Sequence, residues 1–253
     1  MANTSAMSPV KGQGDGGAAE GEGGVPGGGS PLLRAAAPKH TFQSTVSLMR
    51  NPQGPPLDYS FLEIKVIEEL REVMPRTGFR KQPPETIEDE TGAQVPNPLR
   101  DEWVAPPRDD LQVHGLKLGN NMLASLPPVF NIIIREIMDK PRNLSWIDLS
   151  FNQLEEVPQV LASYQMLNVV YLHSNRIRKL NSAKCLTELP SLRSLTLHGN
   201  PCEQTKNYRL FCMGMFKTIK SLDFTCVTTI DREKAETFYS RYLRNKERIR
   251  NGD

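Results

Sequence analysis

The sequence predicts a right-handed α/β solenoid built from short parallel strands, and three observations carry that prediction. In "NLSWIDLSFNQL", residues 143–154, the apolar side chains stand at Leu144, Ile147, Leu149 and Leu154. This spacing fits neither the three-and-four of a helix nor the strict two of a half-buried strand. Asn152 sits inside the longest step. The same rhythm occurs in four places at a period of a little over twenty residues, each time with an Asn in register.

The four copies are explicit. "VHGLKLGNNMLASL" supplies Val113, Leu116, Leu118, Asn121, Leu123 and Leu126; "LSWIDLSFNQLEEV" supplies Leu144, Ile147, Leu149, Asn152, Leu154 and Val157. "LNVVYLHSNRIRKL" supplies Leu167, Val170, Leu172, Asn175, Ile177 and Leu180, and "LRSLTLHGNPC" supplies Leu192, Leu195, Leu197, Asn200 and Cys202. All fit L-x-x-L-x-L-x-x-N-x-L, the leucine-rich repeat pattern. Each repeat is one coil: a strand carries the x-L-x-L centre, and the backbone turns away at the Asn. A fully buried Leu stabilises by about 1.5–3 kcal/mol. The Asn side chains form an expected structural ladder, bonding backbone groups that the bend would leave unpaired at a cost of about 1–3 kcal/mol.

From the N-terminus, residues 1–54 form a low-complexity, Gly-rich tail that cannot bury enough apolar surface to offset the entropy of ordering it. Its G-x-G-x-x-G (Gly12, Gly14, Gly17) has no strand before it or helix after it, so it is not a nucleotide loop. Residues 55–110 read as a capping helix followed by a linker. In "DYSFLEIKVIEELREVM" the residues Phe61, Ile64, Ile67 and Leu70, with Val73 or Met74, form a helical stripe, with Asp58 or Ser60 as N-cap. Residues 81–110 are Pro-rich and acidic without periodicity, and read as a loop.

Residues 111–230 hold the repeats and their cap. The Asn-to-Asn spacings are 31, 23 and 25 residues. The long one accommodates an outer helix in "PPVFNIIIREIMDKP", with Phe130, Ile133, Ile134 and Ile137 facing inward, and a shorter convex helix is expected near "SAKCLTEL". A solenoid must end in a cap or expose its core. In "NYRLFCMGMFKTIKSLDFTCVTTIDREKAE" the residues Ile219, Leu222 and Phe224 keep the inward rhythm, but Val227 stands where Asn should be. Residues 231–253 read as a helix with Ala235, Phe238, Tyr239 and Tyr242 on its inner side. Arg241, Arg244, Lys246, Arg248 and Arg250 form a basic end, an electrostatic tail for an acidic surface such as tubulin or for RNA phosphates.

The cap segment resembles the intracellular leucine-rich repeat family with a C-terminal cap, which includes outer-arm dynein light chain, the spliceosomal A-prime protein and tubulin-folding cofactors. "PPLDYSF", "PRTGFR", "LSWIDLSFNQL", "VVYLHSNRI" and "LPSLRSLTLHGNP" run in the order of one member of this class, over about residues 55–245. The Gly-rich start and the acidic stretch near 83–108 are extra by comparison. The resemblance implies a small cytosolic adaptor of cilia or flagella and offers no catalytic residues.

Strand alternation assigns the concave face. One column holds Gly115, Trp146, Val169, Ser194 and Ser221; the next Lys117, Asp148, Tyr171, Thr196 and Asp223; a third Gly119, Ser150, His173, His198 and Thr225, with Phe151 beside it. Trp146, Asp148, Phe151, Tyr171, His173, Thr196 and His198 are the candidate partner-binding residues, since exposed aromatic patches mark contacts. The alternative for Trp146 and Phe151 is cover by the protein's own N-terminal segment. Two histidines without a well-placed third ligand make a poor zinc site, and a shallow arc gives no catalytic pocket. No G-x-S-x-G, P-loop or H-E-x-x-H occurs.

The expectation is therefore a non-enzymatic protein-interaction adaptor with no cofactor, metal or small-molecule substrate, in a ciliary or axonemal assembly with axonemal proteins or tubulin as partners. A phosphatase-regulator or signalling scaffold would use the same face. A ribonucleoprotein role is disfavoured because Lys117 is the lone basic residue in the concave columns, and the net charge of +2 does not favour nucleic acid. The chain opens without a basic-then-apolar leader and holds no 18-residue apolar run, so a cytoplasmic setting with no membrane is expected. The four cysteines (Cys185, Cys202, Cys212, Cys226) are then expected to be reduced.

Overall fold

A computed structural model describes residues 54–107 and 112–251, so the tail expected to be disordered lies outside the described residues. In chain order the elements are β1 (Leu57–Asp58), β2 (Thr86–Glu88), β3 (Gln94–Pro96), α1 (Leu99–Glu102), β4 (Gly115–Lys117), α2 (Phe130–Ile137), β5 (Trp146–Asp148), β6 (Val169–Tyr171), β7 (Ser194–Thr196), α3 (Tyr208–Met215), β8 (Ser221–Leu222), β9 (Thr225–Cys226) and α4 (Thr229–Asn251). Short 3-10 helices at Ile67–Arg71, Pro141–Asn143, Gln159–Ser163, Leu180–Glu188 and Pro201–Gln204 fill the connections. One sheet runs β1-β4-β5-β6-β7-β8-β9, parallel except for the final β8–β9 pair. This is the α/β leucine-rich repeat solenoid that the rhythm predicts.

The register follows the repeat. Gly115, Trp146, Val169, Ser194 and Ser221 stand opposite one another, as do Lys117, Asp148, Tyr171 and Thr196. Between these columns Leu116, Ile147, Val170, Leu195 and Leu222 are fully buried. On the convex side α2 buries Phe130, Ile133, Ile134 and Ile137, the i, i+3, i+4, i+7 stripe of an amphipathic helix. The convex segment at Leu180–Glu188 buries Leu180, Ala183 and Leu186.

Each Asn at the end of a strand joins two coils. The Nδ2 of Asn152 donates to Leu118 O at 2.9 Å in the coil before and to Leu149 O at 3.1 Å in its own, while its Oδ1 accepts from Leu123 N–H at 3.0 Å. Asn121, Asn175 and Asn200 repeat the arrangement. One residue before each, at Asn120, Phe151, Ser174 and Gly199, the backbone passes through the left-handed region. That single residue turns the chain off the sheet.

Both ends differ from the sequence reading. The stripe from Phe61 to Leu70 is not one helix: only Ile67–Arg71 is helical, as a 3-10 turn. Leu57, Tyr59, Ile64 and Ile67 are instead the inward positions of a further coil, whose strand β1 pairs with β4 through Leu57 and Leu116. Leu62 takes the ladder position, which hid this coil from a repeat search. Asp58 therefore lies in β1, and its Oδ1 accepts from Ser60 N–H at 2.9 Å and Ser60 Oγ at 2.6 Å instead of capping a helix. Phe61 is 63% exposed, with φ +59° and the Arg76 guanidinium 5.6 Å above its ring. Nor is the acidic stretch featureless: β2 and β3 form an antiparallel hairpin, and α1 follows with Leu99 buried.

At the other end Leu222 is inward but Phe224 is 60% exposed. Asp223 and Phe224 both have positive φ, +51° and +60°, in a two-residue turn that reverses the chain into β9. Thr225 consequently leaves the concave column. α4 opens with a reciprocal cap, Thr228 N–H to Asp231 Oδ2 and Asp231 N–H to Thr228 Oγ1, both 3.1 Å. It then crosses α3 so closely that a Cβ on Gly214 would fall 2.4 Å from Tyr239 Cβ. Arg232 reaches back to Met213 O, Phe216 O (2.9 Å) and Ile219 O (2.7 Å), satisfying carbonyls at and beyond the end of α3.

Candidate functional site: the aromatic concave face

The concave columns bring five rings into one cluster. His173 and His198, two residues beyond the ends of β6 and β7, stack at 4.8 Å with 5° between their planes. Phe151 meets the edge of His173 at 5.3 Å, and Tyr171 lies 6.1 Å from the same ring. Phe224 closes the group at 5.3 Å from Tyr171, 5.5 Å from His173 and 5.6 Å from His198. Trp146 joins through Tyr171 at 6.2 Å. Phe151 is 50% exposed, whereas Trp146, Tyr171, His173 and His198 are half-buried.

Thr196 is the exception among the candidate residues. It is fully buried, with its hydroxyl against the His173 ring. Its Oγ1 accepts from Leu172 N–H at 3.2 Å and lies 2.9 Å from His173 Nδ1. The hydroxyl and Nδ1 share one hydrogen bond, whose direction follows the imidazole tautomer. Burial and the neighbouring His198 both lower the His173 pKa. Thr196 thus orients a ring from beneath and does not itself face a partner.

Asp148 and Asp223 flank the rings in different ways. Asp223 is spent on structure: its Oδ1 accepts from Leu197 N–H (2.7 Å) and His198 N–H (3.0 Å) and lies 3.3 Å from His198 Nδ1. Its Oδ2 accepts from Tyr208 OH at 2.9 Å. Burial, with the adjacent thiol of Cys212 and the carboxylate of Asp223, raises the Tyr208 pKa. Asp148 uses one oxygen, Oδ1, for Ser150 N–H (2.9 Å) and Ser150 Oγ (2.6 Å). Lys117 sits between Asp58, 3.5 Å from its Nζ, and the Trp146 ring, 5.8 Å away.

The basic residues Arg241, Arg244, Lys246, Arg248 and Arg250 are all exposed on α4, whose inner side (Ala235, Phe238, Tyr239, Tyr242) packs on the core. They form a separate surface on the helix that covers α3. Among the described residues no group of three His, Cys, Asp or Glu is placed to hold a metal ion, and all four cysteines are free. No helix among the described residues is long and apolar enough to cross a membrane. Phe224 is the ring that sequence reasoning missed. The missing Asn at Val227 is not a sufficient signal, since Leu62 lacks it too and its coil keeps Tyr59 inward; the reversal at Asp223 and Phe224 is what sends the ring outward.

A leucine-rich repeat family model matches residues 142–250. The human leucine-rich repeat-containing protein 51 is 40% identical over 186 residues, covering 74% of this chain and 85% of that protein. The chain belongs to the leucine-rich repeat-containing protein 51 family. The rat member is 39% identical over the same span. Among solved structures, a chain of the Drosophila melanogaster SNF/U2A' complex is similar at 18% identity and a TM-score of 0.46, covering 72% of this chain and 99% of that one. Membership of a leucine-rich repeat family gives this protein a protein–protein interaction role.

Proposed function

We propose that the protein is a non-catalytic adaptor that docks a protein partner on its concave face, as a structural component of a ciliary or flagellar axonemal assembly. The observation that carries the docking reading is the exposed ring cluster of Phe151, Tyr171, His173, His198 and Phe224, held partly in left-handed backbone. The left-handed backbone at Phe151 belongs to the turn that ends each coil; what supports docking is that its ring, half exposed, lies against His173. The axonemal setting is supported by the exposed basic end of α4, which complements an acidic lattice such as tubulin, and by the resemblance to the capped intracellular class.

Proximity labelling in ciliated cells tests this. The wild-type fusion is expected to mark axonemal neighbours, and a Tyr171→Ala/Phe224→Ala fusion, shown to be folded, to lose them. A nuclear neighbour set would replace this reading with a ribonucleoprotein role, and an unchanged set in the variant would move docking away from the concave face. Removing residues 244–253 is expected to weaken microtubule co-sedimentation at low salt, since exposed charges are screened beyond about 8 Å at physiological ionic strength.

A further inference from the structure

The concave face builds a cation site from its own residues, and beside it stands a second site of the same kind whose cation must come from elsewhere. In the first, Asp58 fixes its Oδ1 on Ser60 N–H and Oγ, and its Oδ2 takes the Lys117 ammonium, which also lies over Trp146. Asp148 repeats the turn: its Oδ1 is fixed on Ser150 N–H and Oγ at 2.9 and 2.6 Å, matching Asp58 to the tenth of an ångström. The register places Lys117 between Asp58 and Asp148, with its ammonium on Asp58, and places Tyr171 on the other side of Asp148. No hydrogen bond among the described residues reaches Asp148 Oδ2, and no described cation lies within ion-pair distance of it.

The surroundings suit a positive charge. Tyr171 stands opposite Asp148 in the sheet, its ring 6.1 Å from that of His173, which meets Phe151 at 5.3 Å; a cation over an aromatic ring is attracted by the ring quadrupole. Gly119 adds no side chain there; a Cβ would come within 3.4 Å of both Asp148 oxygens. Along the column Asp58, Lys117 and Asp148 sum to one net negative charge. Asp148 also helps to raise the Tyr171 pKa, after burial, which puts its field on that ring.

We propose that Asp148, opposite Tyr171 on the ring-bearing concave face, receives an arginine side chain from the docked protein partner. Arginine fits better than lysine, because a planar guanidinium can stack on a ring while donating to the single free carboxylate oxygen. The proposal rests on the concave face being the docking surface and adds the chemistry that the partner must present.

The test uses isotope-labelled full-length protein, NMR, and two small probes, N-acetyl-arginine methylamide and its uncharged citrulline counterpart. The arginine probe is expected to shift the Asp148 and Ser150 amides saturably, with the citrulline probe about tenfold weaker, as loss of a charge-assisted contact implies. Asp148→Asn should abolish the difference between the probes. Lys117→Met should tighten arginine binding several-fold by removing the competing internal cation, a gain that misfolding cannot imitate. Equal binding of the two probes, no saturable shift, or a Lys117→Met protein no tighter than wild type would each overturn the site. A saturable arginine site together with an unchanged neighbour set in the Tyr171→Ala/Phe224→Ala fusion would sustain the site and overturn the docking reading instead.

Discussion

Leu62 at the N-terminal end and Val227 at the C-terminal end both stand where the inner coils carry a ladder asparagine, yet the chain closes the two ends differently. At the N-terminus the last coil keeps a parallel strand, and the first rung, Asn121, still reaches it through Tyr59 O and the N–H groups of Leu62 and Ile64. At the C-terminus the strand reverses after two residues, and Asp223 takes over the backbone donors of Leu197 and His198. Each end is then clamped by an arginine on carbonyl oxygens: Arg80 on Leu70 and Val73, Arg232 on Phe216 and Ile219. The difference teaches where a surface can be made. Continuing the strand only lengthens the sheet, whereas reversing it throws Phe224 onto the concave rings.

The largest expected effect separates the two clamps. Arg80 is 5% exposed and bonds the buried Leu70 carbonyl, so Arg80→Ala leaves that carbonyl unpaired and should cost about 3 kcal/mol. Half-buried Arg232→Ala should cost about 2 kcal/mol, since water can reach part of its site. Chemical denaturation of both variants measures this, and equal losses would mean that the two ends are equally dry.

Close packing gives the next contrast. Gly214→Ala pushes a Cβ against Tyr239 Cβ and Ala235 O, atoms that cannot rotate away, and should cost about 2–3 kcal/mol. Gly115→Ala meets chiefly the Trp146 ring at 2.6 Å, which can tilt, and should cost about 1 kcal/mol while perturbing Trp146 fluorescence. A reversed order in thermal unfolding would mean that the α3–α4 crossing yields more readily than the Trp146 ring.

Two tyrosines should then move stability in opposite directions. Tyr208→Phe removes the hydroxyl that donates to Asp223 and should destabilise by about 1–2 kcal/mol. Tyr59 is fully buried with its hydroxyl unpaired among the described residues, and burial pushes its pKa up to about 12. Tyr59→Phe should therefore be neutral or stabilise by up to about 1 kcal/mol. A loss in both would reveal a partner for the Tyr59 hydroxyl.

The smallest effect compares the left-handed phenylalanines. Phe61→Gly relieves strain and gives up little besides Arg76, so stability should hold or rise slightly. Phe224→Gly relieves the same strain but abandons three ring contacts, and should fall below Phe61→Gly by about 0.5–1.5 kcal/mol. No difference would mean that Phe224 contributes to binding without contributing to the fold.

The sequence alone determined what repeats. The coil register, the four inner strands, the facing of Trp146, Asp148, Tyr171 and the histidines, and the buried sides of α2 and α4 all follow from side chains recurring at fixed steps. A recurring inward position is a recurring burial requirement. Tertiary structure decided what happens where the recurrence stops. Phe61, Ile64, Ile67 and Leu70 satisfy a helical stripe and a coil equally well on paper; pairing of β1 with β4 resolves them, because an unpaired β4 edge would leave its N–H and C=O groups without partners. Thr196 reads as a concave residue by alternation, but it is fully buried, with its hydroxyl held against His173 from the neighbouring coil. Phe224 was assigned inward by the same alternation, and only the reversal at Asp223 sends it outward. Periodicity encodes contacts between equivalent positions of neighbouring coils, whereas the two ends and the ring cluster are set by contacts between positions that occur once.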